Sequence, residues 1–140
     1  MPAELPPEVR ALFGARNMAH LATVMPDGTP QASPVWMAVE DGRLAVFTQE
    51  RNAKARNMRR DPRVAISICD EVNPYRGAAI RGSVVEEVHG DAALAIMDRM
   101  SNRYVGSDFP FRHGVAFLIE PEVVHFQDDG ALPFTHPRPD

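Results

Sequence analysis

Cysteine, lysine and tryptophan occur once each in this chain of 140 residues, and tyrosine twice. A single cysteine excludes an internal disulfide and a cysteine-built metal centre. Cys69 ends the apolar run Val64-Ala-Ile-Ser-Ile-Cys69, where a small buried residue is expected. No apolar stretch approaches the ~20 residues that cross a bilayer. The start, Met1-Pro-Ala-Glu-Leu-Pro-Pro7, lacks a basic region followed by an apolar one. No secretory signal is read there, and a cytoplasmic protein without membrane contact is expected. Positive charge is in short supply too: the net charge of −4 argues against general nucleic-acid binding. Neither Gly-x-Gly-x-x-Gly nor Gly-x-x-x-x-Gly-Lys-Ser/Thr is present, which removes two glycine-rich phosphate loops. His20, His89, His113, His125 and His136 show no metal-ligand spacing, so no metal is expected. Ser33, Ser67 and Ser101 sit in no Gly-x-Ser-x-Gly elbow, and no triad emerges. Catalytic side chains stay unassigned, and any difficult chemistry falls to a bound cofactor.

One segment stands out against these absences. Six of the 15 basic residues fall between Arg51 and Arg63, and Lys54 is among them. Every other basic residue in the chain is arginine. A compact ammonium suits a single phosphate at a helix start better than a planar guanidinium does. Charge runs in general are the solvated face of a helix. Here the cluster directly follows a strand, Leu44 to Thr48, and opens a helix, which favours the phosphate reading.

The length is that of one domain covering 1–140, and the hydrophobic fraction of 44% is ordinary for a globular chain. The pattern along it is mostly strand. Pro6 to Arg16 reads as a short helix with Val9, Leu12 and Phe13 on one face. His20 to Met25 and Gln31 to Val39 read as strands joined by the Asp27-Gly28 turn. Pro34 inside the second argues for an edge or a bulge. A second Asp-Gly turn, at Asp41-Gly42, leads to Leu44–Thr48. Asn52 to Arg60 is helical, with Asn52 as cap and Pro62 as stop. Arg63 to Cys69 is a strand, Asp70 to Pro74 a loop, and Arg76 to His89 a long strand in which Gly77 and Gly82 mark a bend or bulge. Asp91 to Tyr104 is a helix, Gly106 to His113 a loop, and Val115 to Gln127 the last strand. The tail, 128–140, with three prolines, is expected to be loosely held or draped on a neighbour. Six mainly antiparallel strands with helices at the crossovers predict a mainly β (α+β) fold, a closed or split barrel over about 12–127.

Several strings together resemble a known family. They are Asp27-Gly-Thr-Pro-Gln-Ala-Ser-Pro-Val-Trp36, then Thr48-x-x-Arg51-x-x-Lys54-Ala-Arg-Asn57-x-Arg-Arg-Asp-Pro-Arg63-Val, then Asn73-Pro-Tyr-Arg76 and Arg81-Gly82. In this order and spacing the chain resembles the flavin/deazaflavin oxidoreductases that share the split barrel of pyridoxamine 5′-phosphate oxidase. More narrowly it is similar to their coenzyme F420-dependent branch. The resemblance implies a homodimer with the cofactor at the subunit interface and a small-molecule acceptor.

It also implies site residues. Arg51, Asn52, Ala53 and Lys54, at the strand-to-helix turn, would contact the cofactor phosphate. Close relatives carry an arginine two positions before the lysine, where this chain has Asn52, and Arg51 lies one residue further back. Thr48 would sit beside the ring or ribityl chain. Pro34, Val35 and Trp36 would lie along the tricyclic ring, with Trp36 as a core or dimer-interface aromatic in the competing view. Tyr75 would wall the pocket. Arg59 and Arg60 read as helix surface, within reach of the deazaflavin's acidic tail. Tyr104 to Asp108 would line the substrate mouth or pack the dimer. The activity implied is hydride transfer from reduced F420 to an organic acceptor. The alternatives are an FMN-dependent oxidase or flavin reductase, a non-catalytic flavin- or deazaflavin-binding protein, and a haem-handling barrel, for which only His20 and His125 lie on suitable strands. Pyridoxamine-phosphate oxidation itself is disfavoured, because Val123 to Gly130 lacks a Trp- and Arg-rich end.

Overall fold

The computed structural model describes residues 2–128. The element order is α1 (Pro7–Gly14), β1 (Ala19–Val24), β2 (Pro30–Val35), β3 (Met37–Glu40), β4 (Arg43–Thr48), α2 (Ala53–Arg60), β5 (Arg63–Cys69), β6 (Arg76–Val88), α3 (Gly90–Val105) and β7 (Val115–Asp128). Apart from Asp128, the tail expected to be loosely held lies outside the described residues.

All seven strands belong to one antiparallel sheet in the order β2-β1-β5-β6-β7-β4-β3. The strand expected as one piece from Gln31 to Val39 is broken at Trp36, so the sheet has seven strands rather than six. That break closes the fold. β2 and β3 are the two edges of the sheet, yet a single residue joins them. Two residue steps span at most about 7 Å. The sheet therefore has to curl until its edges nearly meet at Trp36, which gives the split half-barrel. Pro34 falls on edge strand β2, where a missing amide costs no central ladder bond.

The interior follows from alternation. In β1, Ala19, Leu21 and Thr23 point inward. In β5, Val64, Ile66 and Ile68 do so. They meet Val9, Leu12 and Phe13 of α1, which caps one end of the core. β6 and β7 pair along most of their length, with register shifts at Arg81/Gly82 and at Val84/Glu86. At Gly82 a side chain would press into the backbone carbonyl of Glu120, so the expected glycine bulge is a close strand approach. α3 lies over β4 and β7 and buries Ala93, Ile96 and Met100 against Ala38, Ala45 and Ala116.

The same alternation corrects one reading. Cys69 points to the exposed side of β5, because its neighbour Ile68 takes the inward position at the strand's end. Several other outward positions of the central strands are small, with Ser67 paired to Ala79 and Ala22 to Ala65, while His20 and Arg81 stand among them.

Candidate functional site

A cleft of about 340 Å³ opens where β2 meets β3, between β4, the start of α2 and the inner face of α3. Six of the residues singled out from sequence line it: Pro34, Val35, Trp36, Thr48, Asn52 and Lys54. Ala53 stands between two of these at the first position of α2. Arg51 and Tyr75 lie elsewhere. Arg51 lines a second cavity of about 660 Å³, with His89, Arg112 and His113. Gln49 borders both spaces. Tyr75 is exposed and lines a third cavity beside Gly77 and His125, at the outer face of β6 and β7.

The charged end of the cleft is built by a local exchange of hydrogen bonds. Asn52 stands at the helix start, but its side chain does not cap α2. Its Nδ2 turns back and donates to Thr48 Oγ1 at 2.9 Å. Thr48 is buried, so a partner inside the fold holds its hydroxyl in place. The hydroxyl accepts from Asn52 and keeps its own proton to donate. The Asn52 carbonyl takes the amides of Ala55 and Arg56. The amides of Ala53 and Lys54 remain at the positive end of the helix with no carbonyl four residues back to bond.

The six cations of the cluster divide sharply. Arg59 binds Glu87 at 2.6 Å, and Arg63 binds Asp61 at 2.7 Å. Arg56 donates to the Arg51 carbonyl, and Arg60 to the carbonyl of Val24 and to Asn57 Oδ1. Among the described residues, the Lys54 and Arg51 side chains have no such partner. The hydrogen bond from Arg59 holds the Glu87 carboxyl below its ordinary range. The hydrogen bond from Arg63 pulls Asp61 down to about 2.

Asn57 fixes the position of α2, and a place in a motif is its only functional mark in the sequence. It is buried, and its Nδ2 donates to Thr23 Oγ1 at 3.0 Å and to Met25 Sδ at 3.2 Å, both from the β1 hairpin. A buried amide with its partners satisfied anchors a short polar helix that has little apolar surface of its own.

The remaining walls are apolar. Met97 and Met100 come from α3, Phe47 from β4, and Phe109 from the loop after α3. Helical spacing marks the methionines only as core, so their place in the cleft was not legible beforehand. Phe109 meets Phe47 edge-on at 6.1 Å. Its loop is tied down by one carboxylate: Asp98 accepts from both Arg112 terminal nitrogens and from the Phe109 amide. The Arg112 bond lowers the Asp98 pKa. The loop ends at Gly114, where φ is +141° and any side chain would strike the Phe47 ring.

Trp36 is half-buried and lines the cleft, with its ring stacked on Tyr104 at 4.9 Å and 2° between planes. It is therefore both a cleft wall and a packed aromatic. His20 and His125 border one cavity on the exposed sheet face, on a row in which Ser67 and Ala79 separate them. Among the described residues no cluster of three His, Cys, Asp or Glu is placed to hold a metal ion. None of the described helices is long and apolar enough to cross a membrane.

This architecture has known counterparts. A solved F420 reductase is 31% identical, with a TM-score of 0.76, and the match covers 86% of this chain and 98% of that one. A conserved hypothetical protein from Mycobacterium tuberculosis is 26% identical, with a TM-score of 0.80, covering 97% and 93%. The haem storage protein HutZ from Vibrio cholerae shares the fold at 20% identity and a TM-score of 0.67, covering 89% and 96%. No curated protein matches the sequence. The profile of the pyridoxamine 5′-phosphate oxidase family matches residues 5–128, and the chain belongs to that family.

Proposed function

We propose that the cleft binds coenzyme F420 and that the protein is an oxidoreductase acting on an organic acceptor. The observation that carries this is the unneutralised Lys54 at a helix start, facing the same cleft as Thr48 and Pro34 to Trp36. Similarity to an F420 reductase supports the deazaflavin over FMN. When bound, the deazaflavin supplies the hydride.

The chain's own groups do the rest. Lys54 and the amides of Ala53 and Lys54 hold the phosphate through charge-assisted bonds. The Thr48 hydroxyl donates to the chain that links phosphate to ring. The outward backbone of edge strand β2 offers free polar groups to ring heteroatoms. Met97, Met100 and Phe109 exclude water, so orientation and a dry site supply most of the rate. A second copy of the chain completes the site in this reading. The outward face of β1, β5 and β6, where Ala22, Ala65, Ser67 and Ala79 stand between His20 and Arg81, offers the docking surface, and Tyr75 is exposed on the outer face of β6.

Side-by-side titration with F420 and FMN, followed by Trp36 quenching, tests the assignment. Micromolar F420 binding with weak FMN binding supports it. The reverse preference makes the protein a flavoprotein, and binding of neither removes the cofactor reading. Light scattering tests the dimer: a monomer of 15.5 kDa counts against a shared site.

A further inference from the structure

The end of α3 grips the chain at the point where the half-barrel closes. Tyr104 stacks flat on Trp36, and its hydroxyl donates to the Asn17 carbonyl at 2.6 Å. Asn17 is itself buried: its Nδ2 donates to the Leu12 carbonyl, and its Oδ1 accepts the Glu71 amide. The neighbouring Arg103 donates to the Met37 carbonyl and lies 4.9 Å from the Tyr104 ring centre. Residues 103 and 104 therefore hold both sides of the strand break, the Trp36 ring and the next residue's backbone. Trp36 alone sits in neither β2 nor β3, so no ladder hydrogen bond fixes its orientation. Trp36 nonetheless lines the cleft.

We infer that Tyr104 is a positioning residue that sets the plane of Trp36, and that it selects flat aromatic ligands for the cleft. The inference rests on the proposed cofactor cleft for its ligand, but the orientation it describes exists without one. A stack of two nearly parallel rings, tethered by the hydroxyl at one edge and backed by Arg103, presents a rigid face to whatever enters. A flat ring system gains contact over that whole face. A flexible sugar phosphate gains nothing from it and depends on Lys54.

The test uses the full-length protein and the variants Tyr104→Leu, which removes the stack, and Tyr104→Phe, which keeps it but drops the tether. The lone tryptophan makes near-ultraviolet circular dichroism a direct reading of Trp36 in the free protein. The expected result is loss of the Trp36 band in Tyr104→Leu and its retention in Tyr104→Phe. Affinity for F420 or FMN, whichever the wild type binds, is expected to fall about three- to tenfold in Tyr104→Leu. Ribose 5-phosphate affinity is expected to stay unchanged, whereas a merely structural role would weaken both ligands alike. A wild-type Trp36 band and ring affinity in folded Tyr104→Leu overturn the inference. So does an equal loss of ring and sugar-phosphate binding. If Tyr104→Leu does not fold, Arg103→Leu carries the same comparison, since it removes the backing and the Met37 contact. If the wild type binds neither cofactor, the proposed function fails, while the Trp36 band still decides the orientation claim.

Discussion

The two ends of the basic helix α2 have similar compositions and opposite fates. At its far end Arg59 meets Glu87, Arg60 meets a carbonyl and an amide oxygen, and Arg63 just beyond meets Asp61. At its near end Lys54 and Arg51 face open cavities, without an ion-pair or hydrogen-bond partner among the described residues. The difference lies in the surroundings. β6 and the turn after α2 bring carboxylates to the far end, whereas the cleft that Lys54 lines holds none, and Glu50 in the cavity of Arg51 pairs with Arg59 instead. A charge cluster is a solvated face where counter-charges surround it, and a site where they are withheld.

The two ends differ most at Lys54. Lys54→Ala is expected to weaken cofactor binding by about 2 kcal/mol, roughly thirtyfold in Kd, through loss of a charge-assisted contact. Its melting temperature should stay at the wild-type value. Equal Kd values in a folded variant would remove the phosphate site. Next comes the anchor that serves both ends: Asn57→Ala is expected to cost roughly 1–3 kcal/mol in urea unfolding, because it strands the Thr23 hydroxyl and frees the helix.

At the far end, Arg59→Ala should lower stability by only about 0.5 kcal/mol, as expected for a partly exposed pair, and leave cofactor Kd untouched. A matching loss of binding there would erase the distinction between the ends. The smallest effect is in pH. Glu87 is held below its ordinary pKa by Arg59, so the ionised form favours the fold. Its contribution is complete above the ordinary carboxylate range and is lost as pH falls through the lowered folded value. Stability curves against pH for wild type and Arg59→Ala should therefore converge in acid.

Much of this was legible in the chain. The Asp-Gly turns, the alternation in β1 and β5 and the helix opening at Asn52 placed most elements within a few residues. They also brought six of the nine expected cofactor contacts into one cleft. What escaped depended on the third dimension. The split at Trp36 follows from sheet closure, which alternation does not encode. Cys69 looked buried because its run is apolar, but a strand end exposes every second residue. Asn52 has the residue type and position of a cap, yet buried Thr48 offers its side chain a better partner. Arg51 and Lys54 are close in sequence but point into different cavities, since the helix begins between them. Phe109 carries no local signature, and Asn57 and Tyr104 are marked only as members of longer strings, because each acts through a residue far along the chain.

The single-residue join between the sheet's two edges also bears on how the protein folds. The pairing of β3 with β4 and of β1 with β2 is local and can form early. Thr48 must still find Val115, and Ala22 must find Ala65, before either edge hairpin joins the rest of the sheet. Such distant pairings pay the entropy of long loops first, which puts folding in the millisecond-to-second range rather than the microsecond one. Trp36 reaches its native surroundings only once both halves are in place. Its fluorescence in a refolding experiment should therefore be among the last signals to settle, after the far-ultraviolet signal of the strands has already appeared.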